Sequence, residues 1–382
     1  MLENPMVQRS RSEICIQVGT KLARQDMRQI RAVVGLDGFV DEIIEVVDKR
    51  HNAASYDRLK TITEFGNKIL SAAGQSSNYE LVVTQQKLGG NGPIMANALA
   101  SLGLTTTYIG NLGYPDLHPV FRDMTSRATV ISIAEPGHTD ALEFFDGKLM
   151  LGKITPTADV HWNNIIQRVG RQRLTELVQN CDLIGMVSWT HLPYMNDIWA
   201  RLLSEVIVQL PRGGHKIFFV DLADPEKRAV QDLLAGLRIL QQIQEHIHVM
   251  LGLNLKEAVQ VAGALGLPPY QNPENEIEAM AAAIRNKLGL GTVVVHPRAA
   301  AAAANAEGTA WFAGPFVAQP KISTGAGDHF NAGFVSGQLL GLSLAESLCM
   351  GTATSGFYVR TAISPSAAQL VEFIRDLPQP QG

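Results

Sequence analysis

Three short stretches hold the residues best able to do chemistry. The first is STGAGDHFNAGF, 323–334, where Gly325, Ala326 and Gly327 precede the acid Asp328 at the start of a helical pattern. Backbone N–H groups at a helix N-terminus lack intrahelical acceptors and sit at the positive end of the dipole, so small residues there can seat a phosphate. A carboxylate beside an anion repels it and so needs another task. It could take the proton of a hydroxyl aligned on the phosphorus. The plainer alternative is Asp328 as a helix N-cap, and an isolated Gly-x-Gly-Asp does not choose between the two.

The second stretch is NLKE, Asn254 to Glu257, where a strand meets a helix. It fits a capping box, and it equally fits a pair that organises hydrated Mg²⁺ near phosphates. The third is LGGNGPIMANALASLG, 88–103. Pro93 suits a first helical position, Ile94, Met95, Ala98, Leu99 and Leu102 make an apolar stripe, and Gly103 is a helix stop. Gly90-x-Gly92 begins a dinucleotide fingerprint, but Met95 stands at its third glycine and no acid ends a strand about 20 residues on. GxxxxGK[ST] occurs nowhere. A bare backbone at Gly89 and Gly90 with the two-way amide of Asn91 could instead admit a polyol. Among the remaining acids, Asp224 before Pro225 reads as a cap, and Asp221 is open between cap and site. Histidine says little: His246 and His248 alternate in a strand, His329 at a helix start is expected to face solvent, and no HExxH occurs.

These stretches need elements to hold them. Strands are expected at 31–37, 80–86, 105–113, 181–189, 216–222, 246–254 and 291–297. Helical patterns cover 163–179, 195–209, 226–243, 256–265 and 274–288. Such alternation predicts a mainly parallel sheet covered on both faces. Residues 128–152 read instead as a three-stranded meander turning at Glu135-Pro136-Gly137 and Asp146-Gly147, which would serve as a flap or a dimerisation sheet. Residues 1–30 form an N-terminal extension, helical over about 21–31, and the chain ends in a helix and a frayed Pro/Gly tail. Gly333, Gly337 and Gly341 recur every fourth residue, so one side of the helix after Asp328 must pack closely on a neighbour.

The net charge of −4, without basic runs, argues against nucleic acid or an anionic membrane as partner. Cys15, Cys181 and Cys349 are odd in number and widely spaced, which suits reduced thiols in the cytoplasm and neither a disulfide framework nor a zinc site. No secretory signal is visible, and the apolar run RAAAAAAN, 298–305, is too short to span a bilayer.

In this order, GGNGPIMANALASLG, NLKEA and STGAGDHFNAGF resemble the ribokinase (PfkB) superfamily of carbohydrate kinases, over nearly everything after residue 30. The resemblance implies a ribokinase-like three-layer α/β/α sandwich in one domain, 31–382, with a small β-sheet lid from segments roughly 38–60 and 128–155. It implies Asp328 as catalytic base, the amides of Gly325, Ala326 and Gly327 as anion hole, Thr324 as a nucleotide contact, and Asn254 with Glu257 acting on Mg²⁺ indirectly, through water or phosphate. Gly89, Gly90 and Asn91 match substrate-contacting positions. GLDGFVDEI, 35–43, matches the strand whose acid grips sugar hydroxyls: Asp41 is the preferred acid, and Asp37 the second if the strand persists to 41.

There are departures. Ile94 stands where many members carry Asn, and Ile322 where cation-activated members carry Asp. VVVHPRAAAAAA replaces the usual Thr-x-Gly strand end, so base contacts do not carry over. The expected function is transfer of the ATP γ-phosphoryl group to a hydroxyl of a sugar or sugar-like alcohol. ADP stays open as donor, because GLDGFVD and GGNGPIMAN are also similar to the ADP-dependent sugar kinases. A nucleoside kinase and a catalytically silent sugar- or nucleoside-binding protein are the alternatives, and a homodimer through the lid sheet is left open.

Overall fold

Several strand sequences are apolar on both faces and demand cover on both sides. The computed structural model, which describes residues 10–211 and 215–380, gives them that cover. The first nine residues of the N-terminal extension and the last two of the C-terminal tail lie outside the described residues. Strands β1 (Arg31–Leu36), β5 (Thr105–Gly110), β6 (Thr129–Ser132), β9 (Leu183–Met186), β10 (Ile217–Asp221), β11 (His248–Leu253) and β12 (Thr292–Val295) form the parallel part of a nine-stranded sheet. The hairpin β13 (Ala300–Ala304) and β14 (Thr309–Ala313) extends it antiparallel at one edge. Side-chain alternation divides the core: Val33, Ile184, Phe218 and Val220 join one apolar cluster, and Val34, Leu183, Ile217 and Phe219 the other. This is the α/β architecture expected, with helices on both faces.

A second sheet stands over one end of the first. Its central strand β2 (Phe39–Arg50) pairs with β3 (Tyr56–Arg58), with β4 (Leu81–Gly89) and, in parallel, with β7 (Gly137–Phe144), which is followed by β8 (Gly147–Lys153). It has its own small core of Ile44, Val46, Leu59, Phe65, Leu142 and Phe144.

Several expectations are corrected. The strand expected at 80–86 belongs to this lid and not to the main sheet, because β4 runs antiparallel along β2. The meander at 128–152 is divided: β6 continues the main sheet beside β5, and only β7 and β8 enter the lid. The helix expected over 21–31 lies earlier, at Arg11–Leu22, where Ser10 and Glu13 form a capping box. The helix expected over 163–179 breaks at Gly170, whose φ is +86°.

The helix Ala326–Leu339 is buried along most of its length. A Cβ on Gly333 would lie 2.4 Å from Thr354 Oγ1, and one on Gly337 2.9 Å from Ser347 Oγ, so both glycines admit the helix Leu344–Thr361. Gly341 has φ +69° and meets nothing there; it ends the helix and is not part of the stripe.

Candidate active site

Strand β1 ends at Leu36, so Asp37 and Asp41 do not share one strand as expected. The chain passes through Gly38 into the lid, since a Cβ at Gly38 would strike the Asn111 carbonyl at 2.4 Å. Both acids nevertheless line one cavity of about 410 Å³ between lid and body. Asp37 is buried where the helix Asn91–Leu102 begins. Its Oδ2 accepts the Asn91 N–H at 2.9 Å and its Oδ1 the Gly92 N–H at 2.8 Å, which satisfies two unpaired donors of that helix end. Burial pushes its carboxyl up to about 6 against those bonds. Pro93 is therefore the third helical residue and not the first.

The glycines at 89–92 seat these carboxylates. A Cβ on Gly89 would lie 2.3 Å from Asp41 Oδ1, and one on Gly92 2.7 Å from Asp37 Oδ1. Gly90 caps the helix at φ +95° and faces Asp37 Oδ2. Ile94 and Thr139 line the same cavity, and Thr139 stands beside Asp41 across the β2–β7 pair, favouring its ionised form against the burial that raises it.

A second cavity, of about 480 Å³, opens on the other side of the turn 323–328. Asp221, Asn254, Glu257, Arg298, Gly327 and Phe330 are on its wall. Three residues line both cavities: Asn91, Gly325 and Asp328. The cap of the helix is Gly325, at φ +90°, and Asp328 stands three residues further in, so the capping alternative for Asp328 is excluded. Its Oδ1 accepts the side-chain amide of Asn91 at 3.0 Å. Within the turn the Ala326 N–H, one of the three amides expected to form the anion hole, is already used by the Ser323 carbonyl (3.2 Å). Thr324 is on the wall of the Asp41 cavity, away from the side where Asn254 lies.

Asn254 and Glu257 do form the capping box: Asn254 Oδ1 accepts the Glu257 N–H at 3.0 Å and Glu257 Oε2 the Asn254 N–H at 2.9 Å. Glu257 goes further, for its Oε1 accepts the Asp224 N–H at 2.9 Å. Asp224 makes no cap bond with its side chain. It pairs with Lys256 and Lys227, both at 3.1 Å. Asp221, the acid left open between cap and site, lies buried in this group: Asn331 Nδ2 donates to it at 2.8 Å and the Ala223 N–H at 3.0 Å.

Asp37, Asp221, Glu257 and Asp328 thus gather as buried acids. Burial, with mutual repulsion, raises Asp221 and Glu257, and burial with the charges of Asp37 and Glu257 pushes Asp328 up to about 8. Among the described residues no three His, Cys, Asp or Glu side chains are placed to hold a metal ion directly. The donors fit the Mg²⁺ that the resemblance implies in one way: carboxyl groups beside the second cavity that a bound cation would favour in their ionised form, able to act through that ion's water and phosphate ligands.

Other residues were missed. His329 does not face solvent. It is 1% exposed, stacks on Tyr358 with centroids 3.6 Å apart, and burial pushes its imidazole down to about 4. Nothing near it in sequence signals this, though Phe330, Phe334 and Val335 among small residues could warn of a helix buried all round. Arg298 follows β12 and lies 5.7 Å over the Phe316 ring on the wall of the second cavity. His191 and Lys227 line the first cavity, and neither belongs to a recognisable motif.

Comparison with known proteins shows the family and the fold. A family model described as prokaryotic ketohexokinase matches residues 14–377. A ketohexokinase of Haloferax volcanii is 31% identical over 345 residues, 90% of each chain. Among solved structures, the ribokinase of Arabidopsis thaliana, solved with ribose and ATP, superposes with a TM-score of 0.61 at 16% identity, covering 91% of this chain and 98% of that one. A carbohydrate kinase from Agrobacterium tumefaciens gives 0.60 at 16% identity, covering 92% and 98%.

Proposed function

The chain belongs to the prokaryotic ketohexokinase family, and from that premise we propose that it moves the γ-phosphoryl group of ATP to a hydroxyl of a ketohexose. It is a sugar kinase, a phosphotransferase with an alcohol as acceptor. The observation that supports the finer reading is that, among the described residues, the two cavities share Asn91, Gly325 and Asp328. One cavity has the size and carboxylates for a sugar, and the other has amides and an acid group suited to a nucleotide with its metal.

In this reading Asp41 and Asp37 accept hydrogen bonds from acceptor hydroxyls, a task that suits carboxylates facing a vicinal diol. The acceptor hydroxyl lies between Asp328 and the terminal phosphate, and Asp328 takes its proton as the oxygen attacks phosphorus. The amides of Gly327 and Asp328 hold charge that develops on the transferring group. Mg²⁺, held at second hand by Asn254 and Glu257, would neutralise phosphate charge and favour the ionised form of the nearby acids. Asn91 keeps the Asp328 carboxylate turned toward the junction. The lid excludes water, the competing acceptor.

The experiment is a product assay by ³¹P NMR with D-fructose and either MgATP or MgADP. Formation of a fructose phosphate with ATP supports the proposal. Transfer from ADP alone would move the donor assignment, and no transfer from either, across ketohexoses, would reject it.

A further inference from the structure

A third cavity, of about 700 Å³, lies between lid and body on the far side of the 322–324 segment. Ile94 and Thr324 line both it and the Asp41 cavity. Its charge is opposite to that of the acid group. Lys87 on β4 and Lys148 on β8 face Arg127 and Lys321 of the body. Glu143 is the one carboxylate on this wall among the described residues, and Lys148 pairs with it at 2.8 Å. The other cations have no carboxylate partner among the described residues. Arg127 donates to Asn97 Oδ1 at 3.1 Å, Lys321 to the Thr361 carbonyl at 3.2 Å, and half-buried Lys87 makes no ion pair. Burial lowers the proton affinity of Lys87, which Asp41 across the strand pair partly offsets. Cations gathered in one space repel one another, and a bound anion would relieve that repulsion.

The remaining wall suits hydroxyl groups. Gln85, Ser323 and Ser364 offer amide and hydroxyl partners, and the space exceeds what one inorganic anion fills. The wall is also tied to the catalytic turn. Ser364 Oγ donates to His329 Nε2 at 2.8 Å, and His329 Nδ1 donates to the Gly325 carbonyl at 2.7 Å. Tyr358 donates to the Thr324 carbonyl at 3.1 Å.

From this geometry we infer that the chamber is a second ligand site, for a small phosphate ester of a polyol, with Lys87, Arg127 and Lys321 around its phosphate. Such a ligand bridges lid and body and presses on the back of the Thr324–Gly325 turn. The kinase reading contributes only the choice of probe, since a sugar phosphate is the class of molecule that the reaction releases.

The test is isothermal titration with D-fructose 1-phosphate and D-fructose 6-phosphate, without nucleotide, so that failure of the kinase reading leaves the readout untouched. Binding of one ester is expected to survive Asp41→Ala and to weaken about tenfold or more in Arg127→Gln/Lys321→Gln, with inorganic phosphate about tenfold weaker than the ester. Lys87→Gln is the second variant should the double one melt early, and it should show the same loss. The inference is overturned if neither ester binds, if Asp41→Ala abolishes binding, if the cation variants bind as the parent does, or if inorganic phosphate binds as tightly as the ester.

Discussion

The side-chain amide of Asn91 donates to Asp328 Oδ1 at 3.0 Å, across 237 positions of sequence. One residue opens the helix Asn91–Leu102 and the other lies in the first turn of Ala326–Leu339, so this bond links two helix starts at the place where the cavities meet. It also favours the ionised form of Asp328 against the burial that raises it.

Asn91→Ala removes that support. A hydrogen bond to a charged group contributes about 1.5–3 kcal/mol, so kcat/KM should fall roughly 10- to 100-fold. The loss should carry a pH signature: the acid limb of the kcat/KM profile moves to higher pH, because Asp328 holds its proton more firmly. An acid limb that stays in place would limit Asn91 to binding.

Gly89→Ala puts a methyl group where the Asp41 carboxylate lies, at 2.3 Å, with nothing in the backbone conformation to forbid alanine. Asp41 must then swing away from Thr139 and the acceptor. Steady-state kinetics should show kcat/KM for the sugar down by about 100-fold, the usual cost of a misplaced positioning group. Nucleotide affinity should not change.

Burial raises Asp37 to about 6 and Asp328 to about 8, from ordinary values near 4. These acids keep protons that the unfolded chain releases between those limits, so their contribution to stability falls as pH rises through the window. Buried His191, His296 and His329, each pushed down to about 4, oppose this trend below about pH 6.5, so thermal melts of the protein without nucleotide or metal should decline from about pH 6.5 to pH 8. Asp328→Asn should flatten the decline and raise Tm at pH 8. An equal slope in parent and variant would contradict the placing of that acid.

The motifs were legible in sequence because they act locally. Gly90, Gly103 and Gly325 need positive φ, and Asn254 with Glu257 closes a capping box within four residues. What tertiary packing decides was not legible. Five alanines carry no strand signal, yet Ala300–Ala304 is a strand because it pairs with β12 on one side and β14 on the other. Strand β4 reads like any other, and only its pairing with β2 puts it in the lid. At Gly89 and Gly90 the bare backbone pointed to the close approach of a polyol, but not to the carboxylates of Asp41 and Asp37 that make it. His329 was misjudged because its neighbours in space, Tyr358 and Ser364, come from a later helix and its end.

Asp328 as the base between two cavities is the claim on which the rest depends, and Asp328→Asn tests it most directly. Turnover of D-fructose with MgATP should fall by about 100- to 10,000-fold, the usual contribution of a positioned base, while ATP affinity by titration stays within a few-fold of the parent. An Asp328→Asn enzyme that turns over within tenfold of the parent would contradict the account.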